Sequence, residues 1–354
     1  MAGETGPLAD IANQVSQQLL KWFRWERLPL KDRNFDCVKQ AKHAHANKKQ
    51  KHTHPTDVVF KYRDPYLNKY VLFNTDLKSY AKSSISAPNI KGALKSLAQT
   101  IDCARVSPEW RERYMVEDGA EIRGMLFVYN HDAEFDDNFE RFLQTTKLSN
   151  SQEDVADVTN ASLESNQLIH LLEPRTIAYL DTIVTDAAKL HTAGTFPKRN
   201  YHFFYPDQKL HKAHYEKMDR PATVELICGP YMIIGHDPVI KYNEETEKNE
   251  TTFGEGYVIY YNRSGRSHLE FMYLFDVLSS YQLLDGENQI RIRVAHHMPH
   301  AQIKSNYHRA IREYAFEWGS DEFFTSKLEA IEFEVLGVDK KSFSKTDLGW
   351  EPAA

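Results

Sequence analysis

The sequence predicts an α/β domain followed by an α+β domain, and three observations carry that reading. Apolar residues recur at helical spacing in some runs and gather with β-branched and aromatic residues in others, and the two kinds of run alternate through the first part of the chain. The stretch LSNSQEDVADVTNASLESNQ is polar and nearly free of bulky apolar side chains. From about residue 222 the pattern restarts, with strand-like runs ahead of a strongly apolar helix. A chain of 354 residues, 41% hydrophobic and 12% aromatic, can bury at least one full core, and its length favours two domains. The domains expected are 1–215, with an insertion or loop at about 148–167, and 216–354.

The first helix follows from Leu8, Ile11, Val15, Leu19 and Phe23, which share one face of a 3.6-residue period, with Gln14, Gln17, Gln18 and Lys21 flanking them. Next, VKQAKHAHANKKQKHTHPTD carries five lysines and four histidines and almost no apolar residue, so an exposed basic loop is expected. DVVFKY and KYVLFNTDLKSY have strand composition, and the intervening Arg63-Asp64-Pro65-Tyr66 suits the turn of a hairpin. Ile90, Leu94, Leu97, Ile101 and Ala104 mark a second helix, with Pro88 in its first turn. RGMLFVYN and YHFFYPD are expected strands, with a helix over PRTIAYLDTIVTDAAKLH between them. In the second domain ATVELICGPYMIIGH and GYVIYYN are expected strands around an acidic loop, and HLEFMYLFDVLSSYQLL is a helix. QIRIRVAHH and AIEFEVLGV alternate apolar and charged residues, so each is expected to face a core on one side only.

Charge is distributed unevenly. The formal net charge of −6 comprises +9 over residues 1–115 and −15 over the remainder, so one end is basic and the other acidic. A basic segment in an acidic protein is the footprint of a polyanion partner, because phosphate contacts supply most non-specific nucleic-acid affinity. The three cysteines, Cys37, Cys103 and Cys228, are odd in number and widely spaced, which fits neither a disulfide framework nor a zinc motif and points to a reduced compartment. No apolar run approaches the roughly 20 residues of a membrane span, and the first residues lack the basic and apolar regions of a signal peptide. A cytoplasmic protein without membrane contact is the expectation.

The chemistry centres on HPTDVVFKYRDPYLNKYVLFNTDLKSYAK, residues 54–82. Side chains alternate along a strand, so Asp76 and Lys78 project from one face and Phe73, Thr75 and Leu77 from the other. Asp57 opens the preceding strand, and a tight hairpin brings it beside Asp76. Two carboxylates that close repel each other unless a cation lies between them. Mg²⁺, with Mn²⁺ as the alternative, favours one or two carboxylates plus waters and phosphate oxygens. Phosphodiester hydrolysis needs rate enhancements near 10¹⁷, about 23 kcal/mol, and metal activation of water supplies a large part of that. Lys78 would orient the attacking water or offset charge developing on the phosphate. His43 and His45, or His52 and His54, are a competing zinc or copper site, but the loop has no nearby cysteine or acid to close a tetrahedral set before Asp57, and its lysines repel a cation. Lys48, Lys49 and Lys51 are better read as DNA-backbone contacts. HDAEFDDNFE lacks the glycine and spacing of a calcium loop and is read as a solvated turn, and HHMPH as ordinary loop histidines.

This arrangement resembles the PD-(D/E)xK nuclease superfamily, with its restriction-endonuclease-like fold of a mixed central sheet flanked by helices. The matching residues are Asp57, preceded by Thr56 where the family name has proline, and Asp76-Leu77-Lys78 on the next strand. The resemblance implies that Asp57 and Asp76 are metal ligands, that Leu77 offers its backbone carbonyl, and that Lys78 is the catalytic lysine. Many members carry a glutamate ligand on the first helix; here the aligned position is Gln14, an accessory residue at most. Gln99, on the helix after the motif, occupies a place where some branches use a glutamine, without the tyrosine that completes their pattern.

What the resemblance implies is a Mg²⁺-dependent DNA endonuclease acting on double-stranded DNA. It is similar to nuclease subunits of bacterial anti-phage defence systems, which work as homo-oligomers or with a second defence protein, and the C-terminal domain would serve assembly or regulation. Two rival readings stand beside it. One is a catalytically inactive nucleic-acid-binding or scaffold subunit, which Gln14 favours; the other is an RNA-directed nuclease, since phosphate contacts do not distinguish the sugar.

Overall fold

The structure, a computed structural model, describes residues 6–43, 51–142, 167–206, 217–284, 286, 288–319 and 322–338. The insertion expected at 148–167 lies outside these, apart from Gln167. The chain divides into two compact units, with the division between Ile177 and Ala178. Among the described residues no helix is long and apolar enough to cross a membrane.

The first unit begins with α1 (Gly6–Trp22), followed by β1 (Glu26–Arg27), β2 (Phe35–Asp36), β3 (Thr53–His54), β4 (Val58–Arg63) and β5 (Tyr70–Tyr80). Then come α2 (Ala87–Ala104), α3 (Pro108–Arg113), β6 (Glu121–Asn130), β7 (Ile169–Leu172) and α4 (Pro174–Thr192), within which the division falls. The sheet order is β1-β4-β5-β6-β7, antiparallel from β1 to β5 and parallel from β5 to β7. This is the mixed sheet flanked by helices that the sequence predicts.

Local chemistry explains the order. Asp64 closes the expected hairpin by accepting the Tyr66 and Leu67 N–H groups at 2.8 Å each, an aspartate turn with Pro65 inside it. Parallel strands need a long crossover, and α2 provides it between β5 and β6. Its stripe Ile90, Leu94, Leu97 and Ile101 packs with Leu126 and Val128 of β6. A Cβ on Gly124 would come within 3.1 Å of Leu97 Cγ, so glycine lets α2 lie close on the sheet. The same cover continues with Val59, Leu72, Cys103 and Trp110. Elsewhere in the unit Trp25 stacks on Phe73 at 4.8 Å between centroids.

The stretch expected as an exposed basic loop is not one throughout. β2 pairs with β3, Cys37 N–H donates to the His52 carbonyl at 2.8 Å, and His43 and His54 are buried. Polar composition marks a loop only when side chains find no partners inside, and here they do.

The second unit contains β8 (Tyr201–Phe203), α5 (Val224–Ile227), β9 (Tyr231–His236), β10 (Val239–Asn243), β11 (Lys248–Phe253), β12 (Gly256–Tyr261), α6 (His268–Ser280), β13 (Gln289–Val294), α7 (Ile303–Glu317), α8 (Glu322–Glu329) and β14 (Glu332–Val335). Its sheet order is β14-β13-β12-β9-β8, a C-terminal α+β region as expected. Three local expectations fail. The acidic loop is a hairpin of β10 and β11, and Val224–Ile227 is a turn of helix capped by Thr223 rather than strand. β13 does not face a core on one side only: Arg291 and Arg293 are 2% and 5% exposed. β13 is an interior strand, paired with β12 and β14 along its edges, and side chains on both its faces are buried; the arginines survive there because each has partners. Arg293 donates to both carboxylate oxygens of Asp186, one at 2.7 Å, and reaches Glu332 and Glu334. Arg291 meets His236 at 2.9 Å and lies over the Phe253 ring.

Removing one partner of a buried ion pair strands the other charge without solvent. Asp186→Ala is therefore expected to destabilise the protein by about 3–5 kcal/mol in chemical denaturation.

Candidate active site

The candidate site lies where β5 outruns β4. Pairing between the two ends with Val58 opposite Thr75, yet β5 continues to Tyr80 with β6 alongside. Past Thr75, the edge of β5 that β4 had occupied lacks its strand neighbour. Asp57 fills that place with a side chain: its Oδ2 accepts the Leu77 N–H at 2.8 Å. The N–H and C=O of one strand residue point to the same edge, so the Leu77 carbonyl lies on the Asp57 side.

The period of two then sets out the face. Asp76, Lys78 and Tyr80 share it, and Lys78 Nζ stands 2.6 Å from Asp76 Oδ1, with both side chains partly exposed. Asn74 precedes them on the same face and accepts from Thr56 Oγ1 at 2.9 Å and Trp110 Nε1 at 3.3 Å. These bonds hold the residue before Asp57 against the strand that carries Asp76. Backbone bonds from Asp32 N to the Asp57 carbonyl, 2.9 Å, and from Arg33 N to the Thr56 carbonyl, 3.1 Å, fix the same segment from outside.

Electrostatics follow from this crowding. Burial, and then the Asp76 carboxylate, push Asp57 up to about 7, against the Leu77 N–H and Lys78, which pull it down. Burial alone would lower the Lys78 ammonium, but Asp76, then Asp57 and Tyr80, hold it above the ordinary lysine value. The site therefore has one carboxylate paired with a firmly charged lysine and one carboxylate that ionises reluctantly without a cation.

The structure brings Asp57, Asp76, Leu77 and Lys78 together. Gln14 sits on the exposed side of α1. Lys51 is half-buried and donates to Gln99 Oε1 at 3.1 Å, while Lys48 and Lys49 lie outside the described residues. Sequence reasoning missed Asn74 and Tyr80, although the alternation that selected Asp76 and Lys78 extends to both. It also missed Trp110, whose bond to Asn74 spans 36 positions and leaves no local signal.

Residues 1–175 match the family model of the GAPS4 protein PD-(D/E)XK nuclease domain, from an anti-phage defence system. Over those residues the chain is similar to PD-(D/E)XK nuclease domains. Members of this superfamily typically use divalent metals. No curated protein and no solved structure matches the chain. Asp57 directly precedes β4 and Asp76-Leu77-Lys78 lies in β5, between α1 and α2 in the chain and within the matched residues.

The raised Asp57 value has a consequence for metal-free protein. Folded Asp57 keeps its proton up to about pH 7, whereas an unfolded aspartate releases it near 4, so the folded state binds more protons in that window. Its contribution to stability is complete below about 4 and is lost as pH rises through about 7. In chelator, the melting temperature of wild type should fall across that window relative to Asp57→Asn, which lacks the titrating group; parallel curves would contradict the assignment.

Proposed function

We propose that the first unit is a metal-dependent endonuclease that hydrolyses DNA phosphodiester bonds, double-stranded DNA first, in anti-phage defence. The observation that carries this is the Asp57–Asp76 pair on the open edge of β5 with Lys78 beside it. The donor set suits a hard divalent cation: two carboxylates that repel each other and a strand carbonyl, all oxygen. Mg²⁺, or Mn²⁺ in its place, would be held by Asp57, Asp76 and the Leu77 carbonyl. Such a cation supplies charge neutralisation at the phosphate and acidifies water.

The protein's own residues do the rest. The Leu77 N–H orients the Asp57 carboxylate, and Asn74 with Thr56 keeps the two acids in register. Lys78 is held charged by Asp76, so its role is to stabilise negative charge gathering on the phosphate rather than to accept a proton. The excess of positive charge in residues 1–115 attracts the polyanion, and Lys48, Lys49 and Lys51 are proposed to take part in that attraction. The acidic second unit suits a protein-facing surface, so assembly of copies, or with a second defence protein, is assigned to it.

Plasmid cleavage with Mg²⁺ tests the reading, on protein purified with anything that accompanies it. Asp76→Ala and Lys78→Ala, once verified as folded, should each lose about 10²–10³-fold or more in rate. Equal cutting by all three proteins would place the activity elsewhere, and cutting undiminished by chelator would remove the metal. Cleavage confined to RNA in a panel of single- and double-stranded substrates would replace DNA as the target. No cutting of any substrate by wild type would favour the binding-subunit reading.

A further inference from the structure

The first unit gathers a second set of ligand-type side chains that the nuclease chemistry does not use. Cys37, His43, His54 and Cys103 are all buried, and one ligand atom from each lies within 4.8 Å of the others. The two sulfurs are 3.7 Å apart, and His43 Nδ1 lies 3.5 Å from Cys37 Sγ, 3.4 Å from Cys103 Sγ and 3.2 Å from His54 Nε2. A tetrahedral centre with Zn–S near 2.3 Å and Zn–N near 2.0–2.1 Å requires edges of about 3.7 Å between sulfurs, about 3.5 Å between sulfur and nitrogen and about 3.3 Å between nitrogens. The sulfur–sulfur edge and the three edges from His43 follow that pattern, and the two from His54 to the sulfurs lie within 4.8 Å. A disulfide does not account for them, since the sulfurs stand far beyond the bonded length of about 2.05 Å and both thiols are free.

We propose that Cys37, His43, His54 and Cys103 form a closed structural zinc site. Two sulfurs and two imidazole nitrogens in tetrahedral array are a zinc ligand set, soft enough to exclude Mg²⁺. Four protein ligands leave no open position for water or substrate, so the site is structural rather than catalytic. Binding displaces the two thiol protons to solvent, and one Zn²⁺ with two thiolates sums to zero charge, which makes complete burial tolerable.

The surroundings are built for it. His43 turns its Nε2 to Asp102 Oδ2 at 3.0 Å, which leaves Nδ1 facing the cluster, the carboxylate–histidine arrangement that orients a metal-binding imidazole. Asp102 also takes Lys39 at 2.6 Å, Lys42 at 2.9 Å and Gln167 at 3.2 Å, so these two lysines meet a carboxylate rather than the ion, while Lys51, which also lies near the cluster, donates to Gln99. Cys37 follows β2, His54 ends β3 and Cys103 lies in the last turn of α2. A bound ion therefore ties a short two-stranded excursion to the helix, three residues before Asp57. β2 and β3 have only two residues each and cannot hold that position by pairing alone.

The test is elemental analysis of the full chain purified without chelator. Wild type should carry about one zinc per chain, and the Asp57→Ala/Asp76→Ala variant should keep it, which separates this ion from any at the nuclease site. Cys37→Ser/Cys103→Ser should lose it. Should that variant fail to fold, wild type answers the same question: a mercurial thiol reagent should release the zinc to a chromogenic chelator, and cobalt exchanged into the site should show thiolate charge-transfer and tetrahedral d–d bands. Asp102→Asn should hold the metal about 10–100-fold more weakly. Wild type without zinc and unable to take up cobalt, zinc unchanged in a folded cysteine variant, or a Cys37–Cys103 disulfide in unreduced peptides would each overturn the proposal.

Discussion

The hydrogen bond from the Leu77 N–H to the Asp57 carboxylate is the contact on which the candidate site depends. A strand that runs past its neighbour leaves backbone groups unpaired, and a buried unpaired N–H costs about as much as a lost hydrogen bond. Asp57 satisfies one of them. In doing so it brings its carboxylate to Asp76 and places both next to a carbonyl on the same edge, so one backbone requirement assembles three oxygen donors.

That contact requires a sheet that is antiparallel on one side of β5 and parallel on the other. The antiparallel hairpin permits a tight return from Arg63 to Tyr70, which sets Val58 opposite Thr75 and so brings Asp57 to the Asp76–Leu77 step. The parallel pairing with β6 runs from Val71 to Tyr80, so the overhang stays paired after β4 has ended. Trp110 and Thr56 then both donate to Asn74 Oδ1, and the loop ahead of β2 pins the backbone of Asp57. Buried polar groups cluster here because each has a partner, and the same rule operates in the second unit, where Asp186 receives both Arg293 and the Tyr260 hydroxyl at 3.0 Å.

The stretch between β2 and β4 connects the two polar centres of the first unit. Composition marks it as solvated, yet it sends His43 and His54 inward to meet two cysteines and an aspartate already committed to lysines. A chain so poor in apolar residues gains little from hydrophobic burial. A metal ligand set supplies order by bonds instead, in the segment that leads directly into Asp57.

The sequence by itself determined the hairpin, the helix that follows it, the alternation placing Asp76 beside Lys78, and the acid nineteen or so positions upstream, because strand and helix periods are local properties of neighbouring residues. It also sufficed for the family resemblance, since Asp57 and Asp76-Leu77-Lys78 lie within one supersecondary unit. Alternation alone misread β13, where Arg291 and Arg293 sit in a core on partners remote in sequence. It also hid Cys37, His43, His54 and Cys103, because α2 brings the last of them back across 66 positions to the first. Tertiary structure decided these cases for one physical reason: a buried charge or ligand is tolerated only when its partner arrives, and where the partner comes from is a property of the folded chain.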